Sequence, residues 1–260
     1  MAYGVHPDQV ADVWLPSAVR RADAIRRPTV GTGTERTPLV LFLHGGFWRH
    51  EWDRAHTGPL SAALAGLGYA VATVEYRRTG ASDGGWPGTF EDVSTAVRTV
   101  PELVASSAGV NPARVVVAGH SAGGHLALWA AADLAREGRA PIGVVALAPV
   151  ADLRAAYQLD LDGGAVTALL GGGPDVAPDH YALADPMSLV PLGARLLLVH
   201  GARDLLVPPE LSHRFAAAAR AAGDDVGLIE LPDADHYDMI DPESPAWPAV
   251  VQAFHAVEQP

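Results

Sequence analysis

The sequence predicts an α/β fold with a mostly parallel central sheet and helices on both faces. Short, almost wholly apolar runs recur along the chain, as strands that are covered on both faces require. Amphipathic stretches separate these runs, and such regular alternation is typical of a parallel sheet with crossover helices. The 260-residue chain is 49% hydrophobic and 18% charged, so it can bury a large core. We expect one domain over residues 1–260.

The apolar runs give the expected strands and the amphipathic stretches give the expected helices. The strands are Leu39–Leu43, Ala70–Val74, Val115–Ala118, Gly143–Leu147, Arg195–Val199 and Val226–Leu231, with an early antiparallel edge strand at Val10–Pro16. The helices lie near Ala55–Leu67, Thr89–Ser107, Ala122–Glu137, Pro209–Ala222 and Pro245–Val257. A Gly/Thr/Pro-rich loop is expected at residues 26–37.

Pro149–Pro191 is the exception to this alternation, because it is rich in Gly and Pro and has no clean periodicity. Long insertions in α/β sheets often lie above the crevice at the carboxyl ends of the strands. We therefore expect a small lid or cap at about residues 150–190. An excursion without any role in the site is the alternative.

Composition excludes several classes of function. The formal net charge of −12 would repel a phosphate backbone, so nucleic acid is not an expected partner. The absence of cysteine excludes a thiolate nucleophile and any Cys-ligated metal site. No signal peptide and no apolar run of the ~20 residues that cross a bilayer are found. A cytoplasmic protein without membrane contact is expected, and a homodimer is left open.

The motif that carries most chemistry is Gly119-His120-Ser121-Ala122-Gly123, which fits G-x-S-x-G. An apolar strand precedes it and a helix pattern follows, as in a nucleophile elbow. Such a sharp strand-to-helix turn needs small neighbours around the serine. The hydroxyl of Ser121 is then raised above the sheet, at the positive end of the helix dipole.

A second glycine motif, His44-Gly45-Gly46-Phe47-Trp48, directly follows the first central strand. Attack on a carbonyl creates an oxyanion, and backbone N–H groups have to point at it beforehand. Glycine lets the backbone turn closely enough for that purpose. We assign the oxyanion hole to the amides of Gly46, Phe47 and Ala122.

A serine nucleophile needs a base, and the base needs an orienting carboxylate. Asp204 follows the strand RLLLVHG and His236 follows VGLIELP, in the order Ser, Asp, His that an elbow serine predicts. His200, His213 and His255 lie in a strand and two helices, where surface or core roles are expected. Asp233, Asp235 and Asp238 are too close in sequence to His236 to orient its ring.

The remaining polar and aromatic candidates have weaker patterns. His44 is expected to order the oxyanion loop, and His120 and His125 are expected to pack, with His120 also a candidate for substrate binding. Trp48 and Trp86, together with Trp52, are candidates for lining an acyl pocket. No metal-ligand spacing such as H-E-x-x-H occurs, so neither a metal nor a cofactor is expected.

HGGFW, GHSAGGH, HGARDLLVP and ADHYDMIDP together resemble the α/β-hydrolase superfamily. More narrowly, they are similar to hormone-sensitive-lipase-like esterases and kynurenine formamidases. The resemblance covers nearly the whole chain and implies the α/β-hydrolase fold. Phe47 stands where the lipase-like pattern has a third glycine, and an aromatic there followed by Trp48 is more similar to the formamidase branch.

Three functions follow from these residues and this resemblance. The first is a carboxylesterase that cleaves small or medium acyl esters of small molecules through an acyl-serine intermediate. The second is an arylformamidase that cleaves an N-formyl aromatic amide. The third, of a different class, is a catalytically inactive receptor on the same fold. An unbroken Ser121, Asp204 and His236 set argues against the third.

Overall fold

The structure is a computed structural model that describes residues 1–16, 37–81, 83–108 and 110–258. Of the loop expected at residues 26–37, only Thr37 belongs to the described part. The account that follows concerns the described residues.

The described strands form a seven-stranded sheet in the order β1-β3-β2-β4-β5-β6-β7. They are β1 (Ala11–Trp14), β2 (Leu39–Leu43), β3 (Ala70–Val74), β4 (Val115–His120), β5 (Gly143–Leu147), β6 (Leu196–Gly201) and β7 (Val226–Leu231). β1 pairs antiparallel with β3, and all other pairs are parallel. The predicted mostly parallel sheet and its antiparallel edge strand are confirmed, while β4 and β6 each run two residues further than predicted.

Helices lie between the strands and cover the sheet on both sides. They are α1 (Gly58–Gly66), α2 (Gly88–Ala108), α3 (Ala122–Ala135), α4 (Leu153–Gln158), α5 (Ala165–Leu170), α6 (Pro178–Ala184), α7 (Pro186–Leu189), α8 (Glu210–Ala222) and α9 (Trp247–Val257). Two 3₁₀ turns, Arg54–Thr57 and Tyr237–Ile240, complete the described helical structure. Within the described ranges, none of these helices has the length and apolar character needed to cross a bilayer.

Alternation along the buried strands creates a hydrophobic core on each face of the sheet. In β2, Leu41 belongs to one core together with Leu126 of α3. Its neighbour Phe42 belongs to the other core, together with Leu60 of α1 and Phe254 of α9. Each such side chain contributes about 1.5–3 kcal/mol on burial, so a strand buried on both faces is apolar at most of its positions.

The parallel arrangement brings the loops after β2, β4, β6 and β7 to one edge of the sheet. The order of the strands also reverses here, because β3 lies on one side of β2 and β4 on the other. In open α/β sheets, this switch point at the carboxyl ends of the strands is where ligands bind. Both glycine motifs of the sequence lie there.

The stretch around residues 150–190 forms the four short helices α4 to α7, although its sequence has no clean periodicity. It contacts the loops that follow β2 and β3. Arg49 forms an ion pair with Asp162, and the amide of Trp86 donates to the carbonyl of Leu169 at 2.7 Å. The stretch therefore lies at the same edge of the sheet as the glycine motifs. Its role as a lid stays a prediction.

Glycine is required where β4 turns into α3, because backbone is packed directly against backbone. A Cβ on Gly119 would lie 2.1 Å from the carbonyl oxygen of Gly123. A Cβ on Gly123 would lie 2.0 Å from the carbonyl oxygen of Leu43, at the end of β2. Main-chain atoms cannot withdraw as a flexible side chain can, so the turn and β2 would have to separate.

We therefore expect Gly123→Ala to destabilise the fold by several kcal/mol or to abolish soluble expression, as overpacking of a rigid site does. The matched control is Gly66→Ala in α1, where an added Cβ meets no atom within 4 Å. Alanine there is expected to be neutral or stabilising by up to about 1 kcal/mol. Urea unfolding of both variants measures the difference, and equal stabilities would contradict the steric account.

A buried carboxylate joins the helices of the 150–190 stretch. Asp185 is fully buried, and its side chain accepts hydrogen bonds from the amides of Leu153 (3.1 Å) and Met187 (3.2 Å), at the starts of α4 and α7. Burial, helped by the charge of Asp152, raises the pKa of Asp185 to about 6, although these backbone donors act to lower it.

The raised pKa predicts a pH-dependent stability. Unfolded aspartate loses its proton near pH 4, whereas Asp185 keeps its proton up to about pH 6 in the folded protein. Between these values the folded state binds more protons, so stability falls as pH rises. We expect the stability of the wild type relative to Asp185→Asn to fall by a few kcal/mol between about pH 4 and 6. Urea titrations at several pH values measure it; a constant difference would contradict the assignment.

Candidate active site

Ser121 occupies a strained turn at the end of β4. Its φ of 56° lies in the left-handed region that non-glycine residues rarely adopt. The amide of Ser121 donates to the carbonyl of Leu147 in β5 at 2.8 Å, and α3 begins at the next residue. Strain of about 1–3 kcal/mol at such a residue persists only where the surroundings enforce it, and it is typical of functional sites.

Asp204 and His236 come together from the loops after β6 and β7. Nδ1 of His236 donates to Oδ2 of Asp204 at 2.6 Å, and both side chains are buried. This bond leaves Nε2 as the proton-accepting nitrogen of the His236 ring. Burial alone would raise the pKa of Asp204, but hydrogen bonds from His200 and His236 hold it well below its usual range. The carboxylate is therefore ionised at neutral pH.

Ser121 and His236 line one small cavity of about 40 Å³, and Gly46 and Phe47 line it as well. The residues predicted to act together therefore meet in space. Larger cavities occur elsewhere, such as one of about 330 Å³ that Val97 and Leu134 line. That cavity does not include the serine, so its size does not make it the reactive centre.

The loop after β2 carries three consecutive residues with positive φ: Gly46 (104°), Phe47 (49°) and Trp48 (58°). A run of left-handed residues makes successive N–H groups point into a concavity, which favours a bound anion. In the described part of the chain, the amides of Phe47 and Ala122 donate to no protein acceptor. Both are therefore available to a negatively charged oxygen.

A buried polar network supports this loop from below. Nδ1 of His44 donates to the carbonyl of Gly45 at 2.8 Å, and Nε2 lies 2.7 Å from Oε1 of Glu75. The ring of Tyr76 stacks on His44 at 4.4 Å, and its hydroxyl donates to the carbonyl of His44. Burial alone would raise the pKa of Glu75, but His44 and Arg78 hold it below its ordinary value. Glu75 and Tyr76 were not identified from the sequence, because only their positions after β3 connect them with His44.

The two histidines of the serine motif are deeply buried. Nε2 of His120 donates to the carbonyl of His236 at 3.0 Å, so this ring braces the loop that carries the candidate base. Nε2 of His125 donates to the carbonyl of Ala184 at 3.0 Å, which joins α3 to the 150–190 stretch. Burial holds the pKa of His120 well below its ordinary value and lowers that of His125 to about 4. His120 also lines the cavity, whereas His125 packs.

Two of the tryptophans that the sequence offered for an acyl pocket lie elsewhere. Trp48 is completely buried and packs edge-on against His125 at 5.2 Å. Trp86 stacks on His180 at 5.0 Å, and neither tryptophan lines the cavity. The positive φ of Trp48 turns its side chain inwards, which strand and loop patterns do not reveal. Trp52, the third tryptophan considered, does line the cavity.

The other lining residues were not identified from the sequence. Leu206 and Tyr237 follow Asp204 and His236 on the same two loops, and His56 belongs to the 3₁₀ turn before α1. Proximity to the reactive residues in sequence was the only available signal. Burial and the charge of His44 lower the pKa of His56, which makes it a neutral polar group at the cavity wall.

The competing histidines and carboxylates have other partners. His213 pairs with Glu230 at the surface, and His255 is exposed on α9. Asp235 and Asp238 accept backbone hydrogen bonds within their own turn, and Asp233 pairs with Arg203. His200 differs from the expectation of an ordinary surface or core residue, because it is buried against Asp204.

The solved structures that share this fold include several proteins that are named as esterases. A truncated carbohydrate esterase from gut microbiota has a TM-score of 0.78 at 20% identity, over 100% of this chain and 95% of that one. A bacterial heroin esterase has a TM-score of 0.72 at 24% identity, over 88% of this chain and 76% of that one. At this identity the likeness shows the α/β-hydrolase fold alone.

Two curated esterases have a higher sequence identity to this chain than these solved structures have. Esterase LipC of Mycobacterium tuberculosis is 30% identical over 259 residues, which is 92% of this chain and 59% of LipC. Esterase LipQ of the same organism is 29% identical over 231 residues, which is 82% of this chain and 53% of LipQ. The chain thus spans little more than half the length of these curated relatives. The family profile BD-FAE matches residues 25–218, which contain the glycine motif after β2, the serine motif and Asp204. The chain therefore belongs to the BD-FAE family of α/β-hydrolase esterases.

Proposed function

We propose that the chain is a serine carboxylesterase that cleaves short-acyl esters of small molecules. The observation that carries this proposal is the meeting of Ser121 and His236 at one cavity, with Asp204 bonded to His236 at 2.6 Å. This is the arrangement that activates a serine hydroxyl for acyl transfer. The esterase names of the relatives LipQ and LipC agree with it.

The reaction begins when Oγ of Ser121 attacks the ester carbonyl carbon. Nε2 of His236 takes the hydroxyl proton, and the bond from Nδ1 to Asp204 stabilises the imidazolium that forms. The carbonyl oxygen becomes an oxyanion and accepts hydrogen bonds from the amides of Gly46, Phe47 and Ala122. Amides that are already fixed in a closed site stabilise the oxyanion more than water molecules do, because the amides need no reorientation.

The tetrahedral intermediate then collapses and breaks the bond to the alcohol. His236 gives its proton to the departing oxygen, which leaves the acyl group on Ser121. Water attacks this acyl-enzyme, His236 takes a proton from it, and the same amides bind the second oxyanion. The acid departs and the proton returns to Ser121, so the cycle needs neither metal nor cofactor.

The cavity favours a small acyl group. Its volume of about 40 Å³ is close to the roughly 30 Å³ that one water occupies in the liquid. Phe47, Trp52 and Leu206 form apolar parts of its wall, so they leave room for formyl or acetyl better than for a longer chain. The leaving group lies towards the open side, where half of the Tyr237 side chain is exposed.

An arylformamidase is the second candidate, since the same narrow cavity suits a formyl group. The aromatic residues Trp52 and Tyr237 at its wall could contact an aromatic amine. The ranking of ester above formamide rests on the esterase relatives. A cytoplasmic location, a homodimer, a single domain over residues 1–260 and a lid at about 150–190 stay predictions from the sequence.

We expect Ser121→Ala and His236→Ala each to lower kcat for p-nitrophenyl acetate by about 10⁴-fold or more, because each removes a part of one proton-transfer unit. His255→Ala is the matched control, since His255 is exposed on α9, and its kcat should be unchanged. Labelling with a fluorophosphonate should require Ser121. Retained turnover in Ser121→Ala would refute the assigned nucleophile.

The acyl group is tested with p-nitrophenyl acetate, p-nitrophenyl butyrate and N-formylkynurenine. We expect kcat/KM to be about tenfold higher for acetate than for butyrate, as a poor fit of two methylenes in a closed pocket costs 1–3 kcal/mol. Leu206→Ala should raise kcat/KM for butyrate, because Leu206 lines the cavity. A far higher kcat/KM for N-formylkynurenine than for either ester would reverse the ranking.

Leu205→Ala is the matched control for this series. Leu205 precedes Leu206 on the same loop but is 94% exposed and does not line the cavity. It should leave the ratio of acetate to butyrate unchanged. Equal rates on acetate and butyrate in the wild type would contradict the short-acyl preference.

A further inference from the structure

His200 contacts Asp204, the carboxylate that also holds the candidate base His236. It is the fifth residue of β6 and is completely buried. Its Nε2 lies 3.1 Å from Oδ2 of Asp204, the same oxygen that Nδ1 of His236 contacts at 2.6 Å. One carboxylate oxygen is therefore shared by two imidazole rings.

The hydrogen bonds of His200 fix which of its nitrogens carries the proton. Nε2 lies 2.9 Å from the carbonyl oxygen of Val207, which can only accept. Nε2 therefore donates, both to this carbonyl and to Asp204. Nδ1 lies 2.7 Å from the hydroxyl of Ser212, a fully buried residue in the first turn of α8. Both ring nitrogens therefore have hydrogen-bond partners, which hold the ring in one orientation.

The other oxygen of Asp204 is held by its own turn. Oδ1 accepts from the amides of Leu206 at 2.9 Å and Val207 at 2.8 Å. These two bonds fix Oδ1, so the orientation of the carboxylate then depends on the donors to Oδ2. His200 gives Oδ2 a second donor besides His236 and so helps to hold that oxygen in place.

We propose that His200, held by Ser212, is a positioning residue that orients the carboxylate of Asp204. Through the same hydrogen bond it reduces the attraction of the Asp204 charge for the proton of His236. The inference rests on the proposed function, since it extends the chain Ser121, His236, Asp204 by two members. His200 does not line the cavity, so it meets no substrate and acts only through Asp204. The hydrogen bond from Nε2 of His200 withdraws part of the negative charge of the Asp204 carboxylate.

The first test compares His200→Leu with His200→Gln. Leucine fills similar space without a donor, whereas the glutamine amide can donate to Asp204 from nearly the place of Nε2. We expect His200→Leu to lower kcat by about tenfold with KM little changed, because the lost bond to a charged group affects the transition state. His200→Gln should recover most of that loss.

The pH profile separates positioning from support of the fold. Without its second donor, Oδ2 of Asp204 attracts the proton of His236 more strongly, so the acid limb of kcat/KM should move up by about half a pH unit. His56 and His120, the other histidines that line the cavity with His236, are unchanged by the substitution. A variant that is only less stable would lose active molecules without shifting the limb, so rates are normalised to fluorophosphonate-titrated sites.

Ser212→Ala and His213→Gln complete the series on α8. Ser212→Ala removes the hydrogen-bond partner of Nδ1 while Val207 still holds Nε2, so we expect a smaller loss of kcat, about threefold. His213 is adjacent in sequence but exposed and paired with Glu230, and His213→Gln should match the wild type. If His200→Leu does not fold, the test rests on His200→Gln and Ser212→Ala. The proposal would be overturned if Ser212→Ala had the same kcat and the same acid limb of kcat/KM as the wild type.

A readout without substrate keeps this inference separate from the proposed function. The proton between His236 and Asp204 is expected as a low-field ¹H NMR resonance of the full chain, and it should move in His200→Leu but not in His213→Gln. A shifted resonance in a protein that hydrolyses none of the substrates would support the positioning role and refute the esterase. An active wild type whose resonance and pH limb coincide with those of His200→Leu would overturn the positioning role alone.

Discussion

The packing of the β4–α3 turn against the end of β2 is the contact on which the whole site depends. Bare backbone meets backbone there, because a Cβ on Gly123 would lie 2.0 Å from the carbonyl oxygen of Leu43. The contact joins the strained Ser121 turn and the left-handed run after β2 into one unit. A hydroxyl and the amides that face it are thereby held in place before any substrate arrives. The strain of these loops is sustained by two cores that bury the strands beneath them.

A layer of buried polar groups lies between these cores and the cavity. Each carboxylate in this layer is surrounded by donors, as Glu75 is by His44 and Asp204 is by two histidines. Burial of an unpaired charge would cost several kcal/mol, so the donors are a condition for keeping the charge there. The same burial keeps the pKa of His120 low. The result is a site of fixed charges and dipoles in which little has to reorganise during a reaction.

The strand pattern and the chemical motifs could be predicted from local sequence. Runs such as Leu39–Leu43 and Ala70–Val74 are apolar at every position except Thr73 because both faces are covered, and the structure has them with the predicted bounds. The parallel topology then requires that Asp204 and His236 reach one edge, whatever the details of the loops. The long helices could likewise be predicted from local sequence, because their amphipathic periodicity extends over several turns. The short helices α4 to α7 could not be predicted in this way, because four to seven residues are too few to show a period.

The sequence by itself determined the sheet, its orientation and the residue types that follow each strand, since these depend on periodicity and on glycine placement. Only the tertiary structure decided which side chains enter the cavity. A single positive φ turns Trp48 into the core, while Trp52 reaches the cavity. His200 meets both Asp204 and Ser212 because the chain after β6 folds back onto the end of that strand, and nothing in their spacing reveals it. Contacts between distant elements depend on rotamers and packing, and these are set by the folded chain as a whole.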